Sequence, residues 1–284
     1  MECIFCNSDH VYKHGNHNGY QRYDCLDCKR RFDGEKYTTN YIEYFGVKVK
    51  VKPTNKLTRD NYCTPTNKVE SHERKIIERA EYYKQNNLPS LIPSCYFNLP
   101  NDIFIDKNTY NDTWVKHHYE DCMYNYDLNM KYFNSLDNDV FNKKLDSFIK
   151  KNKLKQITDL NQAEVEGVYV MVLDEYKQVY IGIANNIKKR VMNHWSTKKE
   201  FGKLIFGSKD NSVLSIDSFG AFDTTRIYIK ETNWHSDINE LERRFVARFD
   251  KDYTLNRIDG GLNCELPDSM RTVIAVGSMK KRNL

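Results

Sequence analysis

One short stretch in the last third of the chain constrains the fold more than any other. It opens with an apolar run rich in β-branched residues, 167–173, and continues after a charged stretch with a second apolar run, 178–183. Two such runs joined by a short polar connection predict a β-hairpin. Alternation of faces then places Tyr169 and Tyr180 close together on the paired strands, where their phenolic oxygens can donate or accept hydrogen bonds.

A helix is predicted directly after this hairpin. Ile187, Val191 and Trp195 recur at i, i+4 and i+8, which is the spacing of one apolar helical stripe. Arg190 and His194 lie one turn apart on a different stripe, so both can point at the same ligand. An arginine is always charged and suits a phosphate, whereas a histidine supplies or relays a proton near neutral pH.

A second helix is predicted over residues 238–249, and its periodicity selects one carboxylate. The apolar residues that define its buried face follow Glu242 at i+3, i+4 and i+7: Phe245, Val246 and Phe249. Glu242 therefore lies at the edge of that face, where an ionised carboxylate is costly unless a cation or a donor meets it. Glu240 comes three residues after Asp237, which is typical of a capping box and requires no functional explanation.

The ordered series resembles the signature of the GIY-YIG nucleases. Gly167-Val168-Tyr169 and Tyr180-Ile181-Gly182 match the two tripeptides, and Arg190 follows Tyr180 by ten residues, as the catalytic arginine does in the family. Glu242 and then Asn256 fit the later part of the pattern. The resemblance covers roughly the last third of the chain. It implies an α+β fold, a small antiparallel sheet flanked by helices, and metal-dependent cleavage of phosphodiester bonds in DNA.

The family also implies roles for these residues. Glu242 would hold the metal, and a single carboxylate that leaves most ligand positions to water and phosphate oxygens suits Mg²⁺. A phenolic oxygen would activate water; we favour Tyr169, with Tyr180 positioning the nucleophile or the phosphate, although the sequence leaves the choice open. Arg190 would stabilise the growing negative charge and His194 would assist proton transfer.

Further positions are matched less closely. Asn256 would pack or form hydrogen bonds beside the site, and Gly260 with Gly261 would permit a tight turn. Ile183 stands where relatives often carry a lysine, glutamine or serine that can touch phosphate. Taken singly, each site residue has an ordinary structural explanation, and their joint order and spacing favour the nuclease.

The other strong pattern is at the beginning of the chain. Two Cys-x-x-Cys pairs, Cys3 with Cys6 and Cys25 with Cys28, are 18 residues apart, which is typical of a four-cysteine zinc site. Four thiolates around Zn²⁺ would stabilise a polar segment too small for a core of its own. The nearby histidines could substitute as ligands, but four cysteines already fill a tetrahedron. Disulfides are less favoured, because nothing else indicates secretion.

This segment resembles the zinc ribbons at the start of some transposase-associated proteins, which implies a DNA-binding role. A ribbon that mediates only protein contacts is the alternative. We predict DNA contacts for basic residues in two groups, one in the ribbon and one beside the proposed catalytic site: Lys29, Arg30 and Arg31, and Lys188, Lys189, Lys198 and Lys199. A solvated helix face is the alternative for the second group.

Length and composition favour a multi-module intracellular protein. The chain has 284 residues and 39% hydrophobic residues, which allows two or three units with modest cores. The net charge is only +5, so affinity for nucleic acid would come from local patches. No signal peptide or membrane-spanning stretch is visible. We expect a cytoplasmic protein, and the abundance of Asn, Lys and Tyr suggests an A+T-rich phage or bacterial genome.

The predicted organisation has four parts. Residues 1–34 form the ribbon, 35–160 a linker and mainly helical middle region, 161–265 the nuclease domain and 266–284 a tail. Within the middle region, alternating apolar and basic residues at 46–56 indicate an exposed strand or a DNA-tracking linker. Helices are expected at about 69–85 and over 113–151, and the region either contacts DNA or spaces the two ends.

The combination most resembles a homing endonuclease of a mobile element, with restriction or repair nucleases as alternatives. A different class of function is a non-catalytic DNA-binding regulator that keeps the nuclease fold, which would bind DNA without Mg²⁺ and never cut it. RNA in place of DNA is also open, because phosphate-directed chemistry does not distinguish the sugar unless side chains meet the 2′-hydroxyl. The target site and the oligomeric state are not given by the sequence.

Overall fold

The structure is a computed structural model that describes residues 1–17, 19–36, 41–88, 99, 101–232 and 238–257. Asp237, Gly260, Gly261 and the predicted tail at 266–284 lie outside the described residues. The chain divides into two compact units, Met1–Lys52 and the part that begins at Pro53.

The first unit is built from five strands. Three of them form an antiparallel sheet in sequence order, β1 (Val11–His17), β2 (Tyr20–Cys25) and β3 (Arg31–Lys36), and the other two form a separate hairpin, β4 (Tyr41–Tyr44) and β5 (Val47–Lys50). The buried cluster here consists of Cys3, Cys25 and Phe32, with Tyr23 stacked on Phe32 at a ring distance of 5.7 Å. The apolar core is therefore centred on cysteines. The strand predicted within 46–56 is confirmed as β5.

The second unit begins with a mainly helical region, as predicted. The α-helices among its described residues are α1 (Arg59–Tyr62), α2 (Ser71–Gln85), α3 (Asp112–Ser135) and α4 (Asn138–Asn152). A small hairpin, β6 (Phe104–Asp106) and β7 (Thr109–Tyr110), lies between α2 and α3 in the chain. Side-chain caps fix where the two long helices begin: Asn111 accepts from the Thr113 amide at 2.9 Å, and Asp137 accepts from the Val140 amide at 2.8 Å.

The described residues that follow in this unit form a four-stranded antiparallel sheet and two more helices. Its strands are β8 (Lys155–Ile157), β9 (Gly167–Leu173), β10 (Gln178–Ala184) and β11 (Arg226–Glu231), in the order β10-β9-β11-β8. The helix α5 (Ile187–Ser196) follows β10, and α6 (Ile238–Arg248) follows β11. The predicted hairpin, both predicted helices and the α+β class are confirmed.

One face of this sheet is covered by helices α4 and α6. Val168, Val170 and Val172 of β9 share a buried cluster with aromatic residues of the two helices, including Phe148 and Phe245. Both α4 and β8 precede residue 161, where the sequence analysis begins the nuclease domain. They nevertheless belong to the same core and the same sheet as the signature hairpin.

Candidate active site

The hairpin register brings the two tyrosines together on the face of the sheet opposite to α4 and α6. Tyr169 pairs with Gly182 across β9 and β10, and Tyr180 pairs with Met171, so the tyrosines are diagonal neighbours. Their ring centroids are 6.2 Å apart. Tyr169 is fully buried in an inner strand, whereas Tyr180 is partly exposed in the outer strand.

Both glycines of the signature stand where another chain segment approaches closely. A Cβ at Gly182 would overlap the hydroxyl oxygen and Cζ of Tyr169, and a Cβ at Gly167 would overlap the carbonyl oxygen of Lys230 on β11. Glycine at position 182 therefore makes room for the Tyr169 phenol. This gives a physical reason for the second tripeptide that is independent of the family resemblance.

Helix α5 carries the predicted arginine and histidine to the tyrosines. Asn186 caps the helix by accepting from the Lys189 amide at 2.8 Å, and Ile187 with Val191 is buried below it. His194 is 3% exposed, and its Nε2 lies 2.8 Å from the Tyr169 hydroxyl oxygen. The structure thus joins these two predicted site residues by a direct hydrogen bond.

The second nitrogen of His194 meets a residue that the sequence analysis missed. Its Nδ1 lies 2.7 Å from Oδ1 of Asp217, in a short 3-10 turn (Ile216–Ser218) between α5 and β11. Twenty-three positions of irregular chain separate the pair, so no periodicity or spacing could have found it. The sequence shows only that an acidic residue, Asp217, lies between α5 and β11, which does not indicate that it contacts His194.

Arg190 interacts with both tyrosines. Burial raises the pKa of Tyr169 well above its usual range and also raises that of Tyr180, and the nearby guanidinium opposes both shifts through its charge and its hydrogen bonds. Both phenols are therefore protonated at neutral pH. Arg190 as a residue is exposed at the surface, so its side chain can also meet a phosphate.

Glu242 lies on α6 with its charge facing this group. The predicted apolar neighbours Phe245, Val246 and Phe249 are all buried. Burial raises the pKa of the Glu242 carboxyl to about 7, and Arg190 acts in the opposite direction. Among the residues that the structure describes, none donates a hydrogen bond to this carboxylate. A half-buried carboxylate without a donor is a group that a divalent cation would stabilise, so the site fits the single-carboxylate Mg²⁺ ligand that the sequence predicts.

Asn256 is placed beside the site rather than among its phenols and charges. Its side chain bonds the backbone of Ile181 twice, accepting from the amide at 3.0 Å and donating to the carbonyl at 2.7 Å. Thr254 also donates to it, at 2.8 Å. The Asn256 side chain therefore forms the pair of hydrogen bonds that a neighbouring strand would form with Ile181, and so fixes β10 next to Tyr180.

The basic residues near the site are only partly available. Lys188 forms an ion pair with Glu164 at 2.6 Å, and the Nζ of Lys198 donates to the carbonyl of Asn61 at 3.2 Å. Lys189 and Lys198 are exposed and Lys199 is partly exposed. A polyanion would therefore meet Lys189 and Lys198 first at this surface.

The four cysteines of the first unit form the predicted cluster. Their sulfur atoms all lie within 4.8 Å of one another, and the Cys3–Cys28 and Cys6–Cys25 sulfur pairs are each 3.6 Å apart. A tetrahedral site with Zn–S bonds of about 2.3 Å places sulfurs roughly 3.7 Å apart. None of these four cysteines is in a disulfide. This set fits Zn²⁺.

The basic residues of the ribbon differ in their surroundings. Arg31 is held by Asp24 through two hydrogen bonds of 2.5 and 2.9 Å, and Arg30 lies over the ring of Phe5 at 5.2 Å. Lys29 is exposed at a left-handed turn with φ 59°. Lys29 and Arg30 are therefore more available to bind a phosphate than Arg31, whose side chain is held by Asp24 within the ribbon.

Comparison with known proteins agrees with this geometry. Residues 165–256 match the GIY-YIG catalytic domain, and the chain therefore carries a domain of this nuclease family. The match spans the hairpin, α5, α6 and Asn256, but not α4 and β8. No curated protein and no solved structure matches the chain significantly. In the described part of the chain, no helix has the length and apolar character needed to cross a membrane.

Proposed function

We propose that the chain is a DNA endonuclease that hydrolyses phosphodiester bonds with a divalent metal. The observation that carries this proposal is the convergence of two phenols, an arginine, a buried histidine and a carboxylate that accepts no hydrogen bond from the described residues, contributed by β9, β10, α5 and α6. The proposed metal ligand is Glu242, and Mg²⁺ bound there would neutralise charge on the scissile phosphate.

Tyr169 is the proposed general base. A phenol that is protonated at neutral pH can take a proton from water only if it gives its own proton away. His194 Nε2, at 2.8 Å, is an acceptor for that proton, and Tyr180 has no comparable hydrogen bond to His194 among the described contacts. Tyr180 packs its ring edge-on to His194 at 5.0 Å. This difference favours Tyr169 as base and leaves Tyr180, the more exposed phenol, to position the phosphate or the water.

Arg190 is proposed to stabilise the charge that develops on the phosphate. Its guanidinium contacts both phenols in the free protein, and Tyr169 is fully covered. A substrate phosphate would draw the guanidinium towards its oxygens and open the Tyr169 hydroxyl to the attacking water. Asn256 would support this arrangement by holding β10 in place.

The ribbon and the exposed lysines are proposed to bind the DNA backbone. Lys29 and Arg30 in the first unit, and Lys189 and Lys198 in the second, are exposed cations. Such contacts depend on phosphate rather than on sequence. A nuclease domain joined to a zinc ribbon supports a homing or mobile-element role, and it is also compatible with restriction or repair.

Substitution of Glu242 by alanine separates cutting from binding. We expect Glu242→Ala to abolish Mg²⁺-dependent cleavage, because the metal loses its protein ligand, while the affinity of the zinc-loaded protein for DNA, measured by gel shift without added Mg²⁺, stays within about twofold. The exposed Glu120→Ala on α3 is the matched control and should cut normally. Equal loss of binding and cutting in Glu242→Ala would count against the metal-ligand role, and full cutting would exclude it.

A further inference from the structure

Asp217 is a partly buried partner of His194 to which the family pattern gives no role. The carboxylate approaches Nδ1 at 2.7 Å, and its own backbone is fixed by the Ser215 hydroxyl, which accepts from the Asp217 amide at 3.3 Å. The Asp217 carbonyl also accepts from the Lys199 amide at 3.3 Å. The side chain is 28% exposed, whereas His194 is almost completely enclosed. The geometry is therefore built into the fold rather than left to a mobile surface residue.

This contact determines which nitrogen of His194 carries the proton. A carboxylate only accepts hydrogen bonds, so Nδ1 must be the donor to Asp217. In a neutral imidazole the other nitrogen, Nε2, then presents a lone pair, and the Tyr169 hydroxyl must donate to it. Burial lowers the pKa of His194 in spite of the adjacent Asp217, which agrees with a neutral ring in the free protein.

We propose that Asp217 is a positioning residue that fixes this tautomer of His194 and thereby enables Tyr169 to act as a base. The inference rests on the proposed function. In the step concerned, the water oxygen bonds to phosphorus while its proton passes to the Tyr169 oxygen and the phenolic proton passes to His194 Nε2. The bond from phosphorus to the leaving oxygen breaks, and that oxygen takes a proton from solvent. Asp217 stabilises the resulting imidazolium, which later returns its proton to solvent.

The tautomer can be measured without any cleavage. Long-range ¹H–¹⁵N NMR of the full, zinc-loaded chain distinguishes a protonated Nδ1 from a protonated Nε2, and the signals of His194 are assigned by their loss in His194→Gln. We expect protonated Nδ1 and bare Nε2 in the wild-type protein. A ring protonated at Nε2 alone would overturn the proposal, whatever the protein does to DNA.

Asp217→Asn tests the consequence for catalysis. The asparagine amide can donate to Nδ1, which shifts the proton to Nε2, and we expect kcat to fall by about 10²–10⁴-fold with KM changed less than about threefold. Asp223→Asn is the control, because Asp223 is a buried aspartate of the same unit that does not contact His194 and accepts instead from the amides of Leu57 and Gly220 and the hydroxyl of Tyr176. The control should be less stable, yet keep the His194 tautomer and the rate measured well below its melting temperature.

The possible failures are distinguishable. If the wild-type protein shows the expected tautomer but never cuts, the proposed function fails while the positioning by Asp217 stands. If it cuts and Asp217→Asn keeps both the tautomer and the rate, the positioning role is excluded and the nuclease stands. Should Asp217→Asn fail to fold, the wild-type tautomer still decides the structural part of the claim.

Discussion

The carboxyl of Glu242 links the proposed chemistry to the stability of the protein. Its pKa is raised by burial from an ordinary value of 4.5 to about 7. The folded state therefore binds an extra proton between these values, and stability falls as the pH rises through that window. A divalent cation bound to Glu242 would lower the pKa of this carboxyl, because the cation favours the ionised form. The folded state would then no longer favour the protonated carboxyl.

This predicts a pH-dependent gain from Glu242→Gln. With zinc bound and without added Mg²⁺, the variant should unfold with a free energy close to that of the wild-type protein at pH 5, and be more stable by about 1–3 kcal/mol at pH 8. Urea denaturation at the two pH values measures this difference. Glu120→Gln, at an exposed position, should show no such change. If Glu242→Gln raised the free energy of unfolding equally at both pH values, the raised pKa of the Glu242 carboxyl would be contradicted.

Much of the site at the residue scale follows from sequence alone. Period-2 alternation pairs Tyr169 with Tyr180, and the helical period aligns Arg190 with His194, because both patterns act over a few residues. Asp217 could not be predicted in this way, since its approach to His194 depends on the path of irregular chain. The bonding of Asn256 to the Ile181 backbone likewise requires the tertiary fold.

At the scale of elements, helix α3 holds the segment that leads to Asp217. The amides of two fully buried asparagines, Asn125 and Asn129, both donate to the carbonyl of Ser212, at 2.8 and 2.9 Å. Asn129 also accepts from the Leu214 amide at 3.3 Å. The middle region is therefore a structural support for the candidate active site, in addition to any contact it makes with DNA.

Asn129→Ala should consequently destabilise the second unit. The substitution leaves the buried Leu214 amide without this acceptor and opens a small void, so we expect a loss of about 2–3 kcal/mol in the free energy of unfolding. Urea denaturation tests this, with Asn134→Ala on the exposed face of the same helix as the control. Equal stability of the two variants would show that the asparagine contacts contribute little.

For helix α4 and strand β8, sequence patterns did not indicate which core and which sheet the two elements would join. Helix was correctly predicted over much of 113–151, but the packing of Phe141, Leu145 and Phe148 on the signature hairpin was not. An apolar stripe shows that a face is buried without showing what covers it. The boundary placed at residue 161 rested on the family resemblance, and the family match likewise begins only at residue 165.

At the scale of the whole molecule, the two compact units depend on different sources of stability. The second unit has an extended apolar core, whereas the buried cluster of the first is centred on cysteines. A bound zinc ion would therefore supply much of the folding free energy of the first unit alone. The four-cysteine cluster could be predicted because each Cys-x-x-Cys pair is visible within a few residues of sequence. The relative stability of the two units could not be predicted, since it depends on how each core packs.

Removal of zinc should unfold the first unit selectively. We expect one zinc ion per wild-type chain by elemental analysis, and little or none in Cys25→Ser. Hydrogen exchange should then show lost protection in β1 to β3 and unchanged protection in β9 to β11. Cys63→Ser, a buried cysteine in the second unit, should keep its zinc. Protected ribbon strands in a zinc-free protein would contradict this prediction.

The central claim is that this catalytic face cuts DNA with the help of a divalent metal. The most direct test is incubation of supercoiled plasmid and genomic DNA with the purified, zinc-loaded full chain, with and without Mg²⁺. We predict nicked or linear products only when Mg²⁺ is present. Tight binding to these DNAs with no cleavage under either condition would contradict it, and would favour a DNA-binding regulator that retains the nuclease fold.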